Sequence, residues 1–380
     1  MTEEDLPSRR PTVLRVDLGA LIHNVKTLKA AAPGCSLLAV VKADAYGTGA
    51  LPVSRAVLRG GADALGVALV EEGIALRQAG IGAPVLLLAP VDPDQAEDLL
   101  RWRLTPSVYS LAFLRAVAAA AEGLGEEVEV HLKVDSGMGR AGFRPEQIPS
   151  LARELQRCPR IRVAGLYSNL ASADDPRCPQ TAAQLETFLA ILHRLAEEGI
   201  RPPVVHLANS AGLLAHPATR LRQVRPGLTL FGLRPSGEVP DPGLRPVLSL
   251  STRLLQLKEM PEGSPVGYGA TFVTPRPTLL GILPVGYADG LPRSLGNRGE
   301  VLVRGRRCPL VGRVSMDLCA VDLTGVEGVA EGEEVVLWGG EGSSRLDPWD
   351  WARWAGTIPY EILTGLSPRL HRVYEGPADP

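Results

Sequence analysis

Two lysines stand where the chain's strand-like runs end, in a protein that otherwise carries positive charge on arginine. Of the 40 basic residues, only Lys26, Lys29, Lys42, Lys133 and Lys258 are lysine, and the other 35 are arginine. Arginine keeps its charge at any working pH. A lysine can lose its proton near neutrality and attack a carbonyl carbon or carbon dioxide as a neutral amine. Lys26 and Lys29 lie three apart among Leu21, Ile22, Val25 and Leu28, and read as the solvated face of a helix. Lys42 ends the run LLAVVK and Lys133 falls near the end of EVEVHLKVD, so these two are the candidates for chemistry. An amine at such a position, partly desolvated and near other cations, has a lowered pKa and can form a Schiff base. That chemistry suits either a class I aldolase or a pyridoxal phosphate enzyme.

The elements that must position these amines can be read from periodicity. Short apolar runs recur at residues 37–42, 64–68, 84–89, 104–110, 127–135, 163–169, 204–210 and 221–232. Between them lie helical patterns such as PDQAEDLLRWR and TAAQLETFLAILHRLAEEGI, apolar at spacings of three and four. About eight strand–helix units predict an α/β barrel of the (β/α)8 TIM type, whose strands are apolar throughout because both faces are covered. A doubly wound open sheet is the alternative, but no GxGxxG follows the first strand. Beyond PSGEVPDPGLRP the texture changes to short strands broken by glycine and proline, which predicts a mainly β C-terminal domain. The expected division is residues 1–240 for the barrel and 241–380 for the β domain. The early strand near residues 12–17 is a candidate to pair with the latter.

Barrel active sites lie at the C-terminal ends of the strands. The polar residues there are Lys42, Lys133 with Asp135, Asn169, His206 with Asn209 and Ser210, and Arg225. Ser210, which ends the seventh run, and Gly227, within the eighth, fall where barrel phosphate sites are often built from hydroxyls and backbone N–H groups.

The balance of charge excludes other classes. The formal net charge is −2 with the signs mixed along the chain, so neither a nucleic-acid face nor an adhesive tail for membranes is expected. Five scattered cysteines lack metal-ligand or CxxC spacing, and no metal site is expected. The start MTEEDLPSRR has no apolar core and no apolar run reaches spanning length, so a cytoplasmic location is expected.

The stretches AVVKADAYGTG, HLKVDSGMGRAGF, HLANSAG, VRPGLTLFG, VGYGATF, VGYADG, GRVSMD and IPYE occur in this order over almost the whole chain. Together they resemble bacterial alanine racemase. The resemblance implies pyridoxal 5′-phosphate as cofactor, alanine as substrate, a homodimer with shared active sites, and a role in supplying D-alanine for peptidoglycan. It implies that Lys42 holds the cofactor covalently and serves as one of two bases, and that Tyr268, from the partner subunit, is the other. Two bases are needed because inversion removes a proton from one face of the substrate and returns one to the opposite face. By the same resemblance Arg225 meets the pyridine nitrogen, and Tyr46, Ser210, Gly227 and Tyr360 bind the phosphate, with Asn209 beside them. Arg140 and Met316 meet the substrate carboxylate, Tyr287 lines the entrance, and Lys133 is a candidate N6-carboxylysine that positions Arg140. Asn169 falls in the cofactor-binding set where the family usually carries histidine; an amide cannot stack as that ring does. A broader amino-acid racemase or a decarboxylase of the same fold is the alternative within enzymes. A non-catalytic cofactor-binding protein is the alternative outside them.

Overall fold

The computed structural model describes residues 10–376, which form two compact units. One comprises Gly19–Ala45 and Ala50–Pro246; the other comprises the residues up to Leu18, Tyr46–Gly49 and those from Val247 onward. The boundary expected at 240/241 lies inside the first of these units, which runs to Pro246. No helix among the described residues is long and apolar enough to cross a membrane.

The first unit is a (β/α)8 barrel. Among the described residues its parallel strands are Ser36–Val40, Ala64–Val67, Val85–Leu87, Ser107–Val108, Val128–Lys133, Ile161–Tyr167, Val204–His206 and Gln223–Val224. Single parallel bridges, Leu86 to Thr105 and Asn209 to Arg225, join the two four-stranded arcs into a ring. Leu37, Leu38, Ala39, Leu65, Val85 and Leu132 are almost wholly buried, because helices cover the outer face and neighbouring side chains fill the inner one. The register also dictates a glycine: Gly165 lies opposite His131, and a Cβ on it would fall 2.3 Å from the His131 Nδ1.

The strands are shorter than the apolar runs suggest. The run at 104–110 contracts to Ser107–Val108, and that at 221–232 to Gln223–Val224 followed by a 3₁₀ turn, Leu228–Phe231. Pro106 and Pro226 lack the N–H that pairing needs, so each limits its strand. Lys29 is less solvated than its helix face suggests: its Nζ donates to the Gly61 carbonyl (2.6 Å) and pairs with Asp63 (3.0 Å).

The second unit is built on a sheet of nine strands among the described residues, mostly antiparallel. Val13–Asp17 enters it between two distant partners, antiparallel to Leu248–Arg253 and parallel to His371–Glu375. A helix Pro348–Ala355 covers part of the core, with Trp351 set edge-on to Trp338 at 4.7 Å between ring centres. Its start follows from the sequence: Asp347 caps the N–H groups of Trp349 and Asp350, and Pro348 sits where no N–H is required.

The segment after the first barrel strand is the unexpected element. Ala43, Asp44, Ala45, Tyr46 and Gly47 all have positive φ, between 50° and 75°, and so form a left-handed turn. Each of the four non-glycine residues costs about 1–2 kcal/mol in this conformation. Such a turn persists only where surrounding contacts over-determine it. Asp44 Oδ1 accepts from the Ala50 N–H (2.7 Å), and Ala45 N–H reaches the Val41 carbonyl (2.9 Å). The Arg372 guanidinium donates twice to the Gly47 carbonyl (3.0 and 2.8 Å), and Tyr374 Oη to that of Thr48 (3.0 Å). The chain passes from the barrel unit to the sheet unit within this turn, between Ala45 and Tyr46.

Candidate active site

The strand ends of the barrel unit carry the residues singled out from the sequence. Lys133, Tyr167 and His206 are the last residues of three neighbouring strands and lie in one register row, Lys133 beside Tyr167 and Tyr167 beside His206. Lys42 follows the first strand and Arg225 the eighth, so both emerge at the same end of the barrel.

Four cations serve this end without a bonded carboxylate. Among the described residues no ion pair involves Lys42, Lys133, Arg140 or Arg225. The carboxylate nearest to Lys133 and Arg140 in sequence is otherwise engaged. Asp135 accepts the N–H groups of Gly137 (2.9 Å), Met138 (2.8 Å), Gly139 (3.1 Å) and Arg140 (2.9 Å). Burial opposes its ionisation, but these four bonds outweigh burial and hold it below the usual carboxylate range. A simple Lys133–Asp135 pair is therefore not formed; instead Lys133 Nζ donates to the Leu88 carbonyl at 2.6 Å.

Lys133 is only 7 % exposed. Burial first, then the charges of Arg140, Arg225 and Lys42, bring its amine down to about 8. Lys42 is more open, yet partial burial and then Arg140 lower its pKa, while Glu72 acts in the opposite direction. Both lysines are thus shifted towards the neutral amine.

Arg225 is held by neutral acceptors. Its Nη2 donates to the carbonyls of Ser168 (2.7 Å) and Leu207 (3.2 Å) and reaches Asn169 Oδ1 at 3.4 Å; its Nη1 meets His206 Nδ1 at 3.1 Å. His206 Nε2 lies 2.9 Å from His131 Nδ1, and the His206 ring stacks on Tyr167 at 4.8 Å. Burial lowers Arg225 to about 10. Burial and then the Arg225 charge keep both imidazoles neutral, His131 near 4 and His206 well below its ordinary value.

Asn169 is tied into this arrangement rather than left as a platform. Besides meeting Arg225, its Nδ2 donates to the Leu170 carbonyl (3.1 Å) and approaches Met138 Sδ (3.4 Å). Gln184, on the helix Gln180–Glu197, fixes the same loop by donating to the Asn169 carbonyl and accepting the Ala171 N–H. Ser210 and Gly227 are brought together: the Gly227 N–H and the Thr229 hydroxyl both donate to Ser210 Oγ, at 2.9 and 3.1 Å. Asn209 caps the short helix Ser210–Ala215 through the Gly212 N–H (3.0 Å).

The sheet unit carries the remaining candidates. Tyr46 and Tyr360 face each other at 6.1 Å between ring centres, and burial of Tyr46 pushes its phenol above the ordinary range. Tyr268 is 72 % exposed at the tip of a small hairpin, Pro265–Val266 with Phe272–Val273. Gly267 and Gly269 on either side have φ of +71°, and a Cβ on Gly269 would come within 3.0 Å of the Arg313 guanidinium. Tyr287 and Met316 occupy neighbouring loops, joined by Tyr287 N–H to Ser315 carbonyl and Ala288 N–H to Met316 carbonyl, both 3.0 Å. Both side chains are exposed.

His131 and Tyr167 were not singled out from the sequence, although a signal exists. His131 and Lys133 are two apart on one strand and so share a face by the period of two, and Tyr167 ends the run that leads to Asn169.

Comparison with known proteins bears on the whole chain. The family model "Alanine racemase, N-terminal domain" matches residues 16–235 and "Alanine racemase, C-terminal domain" matches 247–374. An alanine racemase of Symbiobacterium thermophilum is 45% identical over 373 residues, covering 98% of this chain and 99% of the relative. One of Desulforamulus reducens is 41% identical over 374 residues, covering 97% and 100%. Among solved structures, the alanine racemase from D-cycloserine producing Streptomyces lavendulae superposes with a TM-score of 0.93 at 38% identity, over 98% of this chain and 99% of that one. That of Bacillus anthracis with bound L-Ala-P gives 0.92 at 34% identity, over 98% and 96%.

Proposed function

The chain belongs to the alanine racemase family, and on that premise we propose that it interconverts L- and D-alanine with pyridoxal 5′-phosphate held covalently by Lys42. The observation that carries this reading is the cluster of Lys42, Lys133, Arg140 and Arg225 at one end of the barrel, with Asp135 turned onto backbone N–H groups. Such a concentration of positive charge demands anions, and a phosphate, a phenolic oxygen and a substrate carboxylate supply them. The cofactor, when bound, supplies an electron-withdrawing system that acidifies the substrate's α C–H bond.

The chain's own groups supply the rest. Lys42 is biased towards the neutral amine that both covalent attachment and proton abstraction require. Tyr268, from a second copy of the chain, is the base for the opposite face, and its exposed hairpin suits a reach beyond its own subunit. Arg225 would meet the ring nitrogen; fixed by carbonyls and a neutral imidazole, it offers a cation where a decarboxylase of this fold is expected to offer an acid. Ser210, Gly227, Asn209, Tyr46 and Tyr360 are the residues that would hold the phosphate. Asn169 contributes through Arg225, Arg140 and Met316 orient the substrate carboxylate, and Tyr287 borders the entrance. Lys133, with its amine near 8, reacts with carbon dioxide to give a carbamate and a proton, and the resulting anion orients Arg140. The product serves peptidoglycan synthesis in the cytoplasm.

Incubation of the purified protein with L-alanine tests the proposal: D-alanine is the expected product. Release of carbon dioxide, or faster racemisation of a larger amino acid, would favour the alternatives. Lys42→Ala is expected to abolish both the visible absorbance of the bound cofactor and nearly all turnover.

A further inference from the structure

We infer that Glu72 is a positioning residue for Lys42, clamping the first peptide of the left-handed turn that follows the lysine. This rests on the reading of Lys42 as the cofactor-bearing amine, but the contact itself does not. Glu72 Oε1 accepts the Ala43 N–H at 2.6 Å, while Oε2 accepts the N–H groups of Ala68 (2.8 Å) and Leu69 (3.1 Å).

The ordinary role for Glu72 is a helix cap. It stands third in the helix Val70–Gln78, where a glutamate reaches back to the N-cap residue. That role uses Oε2 and is complete without Oε1. The second oxygen goes to a residue 29 positions away, the one immediately after Lys42, where φ first turns positive. A backbone N–H bonded to a carboxylate is stronger than a neutral bond, and here it fixes the peptide between Lys42 and Ala43. At the far side of the turn Arg372 holds the Gly47 carbonyl, so the strained segment is gripped by an anion on an N–H at its start and a cation on a C=O at its end. Four residues in a conformation that L-amino acids avoid need such a grip, and the lysine's direction follows from it. Glu72 also acts on the Lys42 amine through its charge, opposing the effect of burial.

Glu72→Gln separates the two roles. A carboxamide has one acceptor oxygen. The paired donors of Ala68 and Leu69 claim it, leaving the NH₂ group facing the Ala43 N–H. Hydrogen exchange of the cofactor-free protein, read on peptides by mass, is expected to show the segment 42–47 exchanging on the order of tenfold faster in Glu72→Gln, with the helix 70–78 little changed. In the holoenzyme kcat is expected to fall while KM for alanine stays near its wild-type value. Glu72→Ala should loosen both segments, and its melting temperature reports whether the fold survives. Unchanged exchange in 42–47 for Glu72→Gln would overturn the inference, as would faster exchange confined to 68–72. The wild-type assay with L-alanine reports separately on the proposed function, and its failure leaves the exchange result standing.

Discussion

Arg225 donates Nη1–H to His206 Nδ1 across 3.1 Å, and this contact decides where the protons of two adjoining rings, His206 and His131, lie. Because Nδ1 of His206 is the acceptor, its proton sits on Nε2 and is donated to His131 Nδ1 at 2.9 Å. His131 then carries its own proton on Nε2. A proton added to either ring would break this order and set a second cation against Arg225.

Stability is therefore expected to fall in mild acid. The folded rings titrate below the ordinary histidine value, so the unfolded chain takes up protons first and stability declines as pH drops below about 6.5. For His131, near 4 when folded, the loss at pH 5 is up to about 2 kcal/mol relative to pH 8. Urea unfolding at the two pH values measures it, and His131→Gln should flatten the dependence. An equal slope in that variant would assign the acid sensitivity elsewhere.

Carbamate formation at Lys133 makes a chemical prediction. Protein equilibrated with bicarbonate labelled in the heavy carbon isotope should give a carbamate resonance, and Lys133→Arg should remove it, because a guanidinium keeps its proton. The same variant should lower turnover without displacing the cofactor. A labelled signal that survives in Lys133→Arg would place the modification on another amine.

Tyr268→Phe should retain the cofactor's absorbance and lose racemisation by about a hundredfold or more, the usual worth of a general base. Mixing Lys42→Ala chains with Tyr268→Phe chains tests whether sites are shared. A random mixture holds about half mixed dimers, each with one site free of both defects, so about a quarter of wild-type activity should return. No recovery after subunit exchange would put Lys42 and Tyr268 of one site in the same chain.

Gly47→Ala is expected to cost about 2 kcal/mol or more, visible as a lowered melting temperature. The position has φ of +75°, and a Cβ there would lie 2.5 Å from the Leu363 carbonyl oxygen, a backbone atom that cannot turn aside. A thermally neutral variant would mean that the turn relaxes without penalty.

The barrel was legible because its strands are buried on both faces, so runs such as LLAVV announce themselves without alternation. Lys42, Lys133 and Arg225 were legible because charge at the end of such a run needs a reason. The left-handed turn was not. Lys42 to Tyr46 has no glycine, and local preference points to a right-handed or extended backbone; contacts from Glu72 and Arg372, distant in sequence, override it. The His131–His206–Arg225 chain was hidden for a related reason, since it depends on register between three strands rather than on spacing within one.

The strand Val13–Asp17 has a consequence for how the protein is made. Its two neighbours in the sheet are Leu248–Arg253 and His371–Glu375, the second with Arg15 paired to Glu375 at 2.9 Å. During synthesis the ribosome delivers this strand first and must add more than two hundred residues before the first partner exists. The barrel's segments, each followed closely by its neighbours, can assemble while the strand waits. Its apolar side chains Leu14 and Val16, wholly buried in the finished sheet, stay uncovered through that interval. Chaperone dependence should therefore be sensitive to polar replacements at these two positions, long before any effect on the completed enzyme could be felt.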